Sequence, residues 1–289
     1  MALLGALVLW ALSFPATRVA LTHFSSAPLN LYRYAIATFV LMVYAALIRA
    51  PIPAPADWMR VAMNGILIIG VYQSLFNAGM RTVSSGLAAV IVDTIPLFTA
   101  VAGAWLLRER LTALGWVGTF IGFAGAVVIA LGESSVTGAA LVIDKGAFWL
   151  LGAALAFSLS IIVQKPLVLR YGAVATTAWS FVAGTVAMLW ALPQTITEVS
   201  NASPTAHMIV LFMAILPGAL AFILWGHAMA GLPVAVVSSS LYLVPVLTFP
   251  VAWLWLGEVP ALLSWIGASI VLTGVLIVHF KGHPALLSY

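Results

Sequence analysis

Few residues in this 289-residue chain could do chemistry, and most of them stand in apolar surroundings. Asp93 is the clearest case. It lies in IVDTIP, three residues before Pro96, within a run from Val83 to Leu107 that is otherwise almost wholly apolar or small. An ionised carboxylate in an apolar medium is costly unless it is paired or reached by water. Proline removes a backbone donor and interrupts a helix, which membrane helices tolerate where neighbours compensate. A bent helix here would free carbonyls to bind an amino group, and Asp93 could attract the same group or take up a proton. The other reading is a protonated or hydrogen-bonded aspartate that stabilises a helix contact.

Other candidates are weighed in the same way. Tyr72, Phe76 and Met80 fall at i, i+4, i+8 and share a helix face, with Gln73 and Asn77 as a neighbouring amide stripe. Such a face could contact an aromatic ring while offering donors and acceptors, or could simply pack against another helix. His227 could relay a proton or bind substrate, and it could equally be a polar boundary residue. Trp225, Trp10, Phe157 and Trp179 are candidate walls of a pathway suited to an aromatic solute, as is the more ambiguous Tyr32, although membrane proteins also place such rings at headgroup level. Glu109 and Glu258 end two segments near opposite faces. They fit loop anchors or gates rather than a catalytic pair, whose members must meet at one centre. With no cysteine, no HExxH and no Ser-His-carboxylate set, the chain reads as a non-enzyme without metal or other cofactor.

The elements that must position these residues follow from composition. The chain is 64% hydrophobic and 6% charged, with a mean hydropathy of +1.18. A soluble domain carries about 25% charged residues, so this is a membrane chain. About 20 apolar residues cross the hydrocarbon core, and ten segments qualify: 3–22, 29–49, 59–80, 84–107, 112–131, 147–168, 173–192, 207–227, 233–256 and 262–280. Polar intervals at 132–146 and 193–207 read as the longest connections. The first segment lacks the basic start and cleavage site of a signal peptide.

The chain also repeats itself. At an offset of 147, LGALVLWALS lies on LGAALAFSLS, matching Trp10 to Phe157 and Arg18 to Lys165. At an offset of 149, Phe76 meets Trp225, Asp93 meets Tyr242, Pro96 meets Pro245, Glu109 meets Glu258, and Gly125 meets Gly274. Tyr242 thus joins Asp93 as a polar-capable position at mid-membrane depth, and Pro96 and Pro245 are matched candidate bends or gates. Units with an odd number of crossings must enter the membrane from opposite sides, which makes the repeats inverted. The expected fold is all-α: a polytopic membrane protein of ten transmembrane helices in two inverted five-helix repeats, 1–131 and 147–289, joined by a loop at 132–146. The Lys/Arg bias puts both termini in the cytoplasm, with Arg49, Arg60, Arg108, Arg110, Lys165, Arg170 and Lys281 inside. Arg18, Arg33, Arg81 and Lys145 fall on the other side, with Glu133, Asp144, Glu198 and Glu258. Gly118, Gly122 and Gly125 recur at helix spacing and point to close packing rather than a nucleotide loop.

These residues resemble the drug/metabolite transporter superfamily, specifically its EamA-type ten-helix branch. The resemblance covers nearly the whole chain: LGALVLWALSFPATRVAL, PLNLYRYAIATFVLM with Arg33, SSGLAAVIVDTIPLFTAVAGAWLLRERL, LGWVGTFIGFAGAVVIAL and LGEVPALLSWIGASIVLTGVLIV. Within that superfamily the chain looks like the bacterial aromatic amino acid exporters. The resemblance implies export of amino acids, aromatic or otherwise apolar, across the bacterial cytoplasmic (inner) membrane by alternating access. The alternative is a carrier for another small metabolite or drug-like solute, with or without proton coupling, with a channel or intramembrane enzyme as more distant readings. The implied partners are membrane lipids and a small-molecule amino acid or related metabolite, and not nucleic acid. Oligomeric state is left open, and a monomer is compatible with the sequence.

Overall fold

In hydrocarbon every backbone N–H and C=O must be satisfied within its own segment or a closed barrel, and the long Leu, Ala, Val and Gly runs of this chain meet that demand as helices. The computed structural model describes residues 1–79, 82–83, 90–109, 111–137, 145–248 and 261–282. Met80, Arg81, Arg110, Asp144 and Glu258, and the side chains of Arg18 and Glu133, lie outside the described residues. The described chain is all-helical. Seven of its helices are long and apolar enough to cross a membrane.

In chain order the elements are α1 (Ala2–Ala20) and α2 (Ser26–Leu47), α3 (Pro55–Gly79) and α4 (Val90–Leu107), and α5 (Ala113–Thr137). They continue with α6 (Lys145–Ala187), α7 (Leu192–Asn201), α8 (Pro204–Gly231) and the shorter apolar α9 (Val234–Thr248), and α10 (Leu262–Lys281). Two local features depart from the sequence expectation. The interval 193–207, read as a connection, contains the helix α7. It is stabilised by Gln194 Nε2 donating to Glu198 Oε1 at 2.8 Å, while Glu198 Oε2 accepts the Ser25 N–H at 2.8 Å and ties α7 to the turn before α2. The segments 147–168 and 173–192 are the arms of α6, which turns at Gly172 with φ 79° and ψ 167°. That backbone region is open essentially to glycine alone. Asp57, in the first turn of α3, holds the corner by accepting from Arg170 Nη1 and the Tyr171 hydroxyl, both at 2.6 Å.

The chain packs as two compact units, residues 1–74 with 163–231 and residues 75–162 with 232–289. Each takes parts of both halves of the sequence, so the packing units do not coincide with the repeats. In the first unit, α1 lies along α8 and α2 lies along a π-helical stretch of α8, Ala214–Leu220. Helix α3 carries the corresponding π-helical stretch, Ile66–Tyr72. The 149-residue offset superposes the two stretches within a residue, although only α8 has a proline there, Pro217. Single π-turns inside α-helices recur at functional sites. Gly65 and the second arm of α6 are in backbone contact, since a Cβ on Gly65 would strike the Ser180 carbonyl and the Gly184 nitrogen.

In the second unit, α5 and α10 run antiparallel in close contact. A Cβ on Gly118 would meet the Gly274 carbonyl at 2.9 Å, and one on Gly125 would meet the Gly267 carbonyl at 2.9 Å. The repeat carries Gly118 onto Gly267 and Gly125 onto Gly274, so each of these contacts maps onto the other. That is the signature of an isologous, twofold-related contact. Small residues here let helices approach closely where no hydrophobic driving force is available.

Candidate functional site

The second unit assembles the polar pair matched by the repeat. Residues 90–92 are helical, Asp93 and Thr94 form a turn, and the helix resumes at Ile95 with Pro96 in its first turn. Thr94 closes the turn, its hydroxyl donating to the Ile91 carbonyl at 2.6 Å. Proline at 96 cannot donate to the carbonyl of Val92, which explains why the irregularity falls on the preceding residues. Helix α9 behaves similarly. It tightens to 3-10 geometry over Ser240–Tyr242, three residues before Pro245, which cannot donate to the carbonyl of Leu241. The α4 and α9 backbones pack together. Ser158 of α6 anchors the interrupted helix by donating to the Ile95 carbonyl at 3.0 Å.

Asp93 lies in the turn that interrupts α4, and Tyr242 lies in the 3-10 stretch of α9, the helix packed against α4. Both side chains are buried, Asp93 at 8% and Tyr242 at 0% exposure. Asp93 Oδ2 and the Tyr242 hydroxyl have no hydrogen-bond partner among the described residues. The Tyr242 ring is held by Gly122, where a Cβ would meet ring carbon Cδ2 at 2.7 Å. A carboxyl and a phenol, each at a helix interruption, offer acceptors suited to an ammonium group or a proton.

The first unit gathers aromatic rings. Trp10 meets Trp225 at 5.0 Å and Phe222 at 5.2 Å between centroids. Phe222 meets Phe181 at 5.1 Å, and Phe181 meets Tyr34 at 5.5 Å. Trp10 Nε1 donates to the Pro217 carbonyl at 3.2 Å, and Gln73 Nε2 donates to the Tyr34 hydroxyl at 3.2 Å. The cluster therefore contains Trp10 and Trp225 from the sequence expectation, with Gln73 at its edge. Phe222, Phe181 and Tyr34 were missed. Phe222 shares a helix face with Trp225 at i, i+3 spacing, which was a usable signal; nothing along the chain pointed to Phe181.

The remaining candidates fall in both units. Trp179 is half-buried and meets Trp58 edge-on at 5.1 Å. Phe76 is half-buried beside Leu150, Ile91 and Val92. Asn77 and Phe157 are buried, and Tyr72 is half-buried at the end of the π-helical stretch. His227 is exposed, and its Nδ1 lies 2.8 Å from the Ile223 carbonyl of its own helix. Glu109 accepts the Val234 N–H at 2.6 Å, fixing the first turn of α9.

Comparison with known proteins agrees with this architecture. The EamA-like transporter family matches residues 1–131 and 144–280. A probable terminal-alkyne amino-acid exporter of Streptantibioticus cattleyicolor is 33% identical over 280 residues, covering 96% of this chain and 92% of that protein. An uncharacterized transporter of Bacillus subtilis, YdfC, is 29% identical over 273 residues, covering 94% of this chain and 88% of that protein. A solved crystal structure superposes with a TM-score of 0.76 over 96% of this chain and 94% of its own, at 17% identity, which speaks to the fold. The chain belongs to the EamA-like transporter family and is a multi-pass membrane transporter.

Proposed function

We propose that the protein exports amino acids, aromatic or otherwise apolar, from the cytoplasm by alternating access. The observation that carries this reading is the Asp93–Tyr242 pair: two buried groups, aligned by the sequence repeat, each at an interruption of one of two packed helices, α4 and α9, and each with a polar atom left without a partner among the described residues. In the proposed cycle Asp93 attracts the substrate ammonium group, the Tyr242 hydroxyl accepts or donates beside it, and Pro96 and Pro245 let the two helices flex as access changes side. The relative from Streptantibioticus, whose name refers to amino-acid export, supports the substrate class. Trp10 and Trp225 are proposed pathway walls on the strength of their ring contacts. The proposal includes ten crossings in two inverted repeats, 1–131 and 147–289, with both termini cytoplasmic in a bacterial inner membrane.

The unpartnered carboxyl also favours a second reading, a proton-coupled carrier of another small solute. One experiment separates the two. Counterflow of labelled phenylalanine is measured in proteoliposomes against a panel of amino acids, nucleosides and organic cations, with a pH gradient of either sign. Saturable phenylalanine exchange that does not require the gradient supports export of amino acids; absence of exchange with every amino acid overturns it.

A further inference from the structure

Arg33 is the charged group that neither the pair in α4 and α9 nor the ring cluster accounts for. It lies in the apolar helix α2 and is only 6% exposed. A charge placed this way is costly unless it has a task or a partner. Among the described residues the ion pairs within reach join Asp57 to Arg60 and Arg170, and none involves Arg33. One of its donors has a structural task. Nε–H donates to the Met213 carbonyl at 3.2 Å, which stands four residues before Pro217 and cannot receive that residue's missing N–H. The guanidinium carbon lies 5.2 Å from the Tyr34 ring centroid.

A guanidinium carries five N–H donors in a rigid planar fork. The four on Nη1 and Nη2 have no acceptor among the described residues, and Arg33 is not among those with further contacts. Nor are these nitrogens sealed away. The atoms both buried and unpartnered include Asn30 Nδ2 and the Thr176 hydroxyl, but neither terminal nitrogen of Arg33. Capping one carbonyl does not require a guanidinium. A fork with its inner nitrogen pinned and its two outer nitrogens open has the geometry of bidentate carboxylate recognition.

The geometry points to Arg33 as a carboxylate-binding subsite, in which Nη1 and Nη2 take the two oxygens of an organic carboxylate while Nε stays on Met213. Only the identity of the carboxylate, an amino acid, rests on the export reading above.

The test is thermal unfolding of the purified protein with 3-phenylpropanoate, 3-phenylpropanamide or inorganic phosphate. A ligand that binds only the folded state raises the midpoint by mass action. Wild type is expected to bind the carboxylate about 10- to 100-fold more tightly than the amide, the scale of a charged hydrogen bond. R33Q is expected to abolish that preference. R33K, which keeps the charge and loses the fork, is expected to reduce it. Equal binding of acid and amide by wild type overturns the subsite whatever the variants do, as does an equal response to phosphate or an unchanged preference in R33Q or R33K. Because this reads binding rather than transport, an intact carboxylate preference without amino-acid counterflow overturns the export reading alone. Counterflow without an Arg33-dependent preference overturns the subsite alone.

Discussion

Asp93 and Tyr242 are each buried with a polar atom that the described protein does not satisfy, and an unsatisfied buried group costs about 1–3 kcal/mol. A fold that tolerates two such groups on packed helices can recover the cost when a substrate arrives. Asp93→Asn preserves size and hydrogen-bonding capacity while removing the titratable charge. It should weaken apparent affinity for amine-bearing substrates about tenfold or more, with expression and monodispersity unchanged. Counterflow kinetics read this directly, and wild-type affinity in the variant would return Asp93 to a structural role. Tyr242→Phe makes the complementary test. Deleting an unpartnered hydroxyl should leave the melting temperature unchanged or raise it, while transport falls; a clear loss of stability would show that the hydroxyl has a structural partner.

Elements meet here through glycine, and the contacts differ in how much they can yield. On Gly65 an added Cβ would strike the backbone of α6, which cannot rotate away, whereas Gly231 has nothing within 4 Å of the same position. Gly65→Ala should therefore destabilise by about 1–3 kcal/mol or more, and Gly231→Ala should have little effect, as compared by thermal melting in detergent. The corner of α6 adds a purely conformational case. Gly172→Ala meets no neighbour but must adopt φ 79°, so a loss of about 1–3 kcal/mol is expected from backbone strain alone. A melting temperature equal to wild type would mean that the corner relaxes to another conformation.

For the whole molecule the testable quantity is orientation. The proposed orientation, read from the Lys/Arg bias, has both termini in the cytoplasm and assigns to that side Arg49 and Arg108, which end α2 and α4 in left-handed conformations with φ 55° and 58°. Tags at either terminus should stay inaccessible to a membrane-impermeant label in intact cells. Labelling of one without permeabilisation would reverse the assignment and, with it, the direction from which substrate enters.

Whatever depends on local composition and on matching along the chain is legible in the amino acids alone. Apolar runs long enough to cross a bilayer dictated helices, Pro96 and Pro245 marked where two of them would be irregular, and glycines at helix spacing marked a close-packed face. The repeat could align Asp93 with Tyr242, but alignment along the chain says nothing of how the helices that carry them pack, which tertiary structure decides. The same matching aligned Trp10 with Phe157, which fall in different packing units. Tertiary structure alone also decided that Phe222, Phe181 and Tyr34 complete the ring cluster, that α3 shares the π-helical stretch of α8 without a proline to announce it, and that His227 bonds back to its own helix. These depend on which side chains and backbones approach one another across tens to hundreds of residues, and no spacing along the chain encodes that.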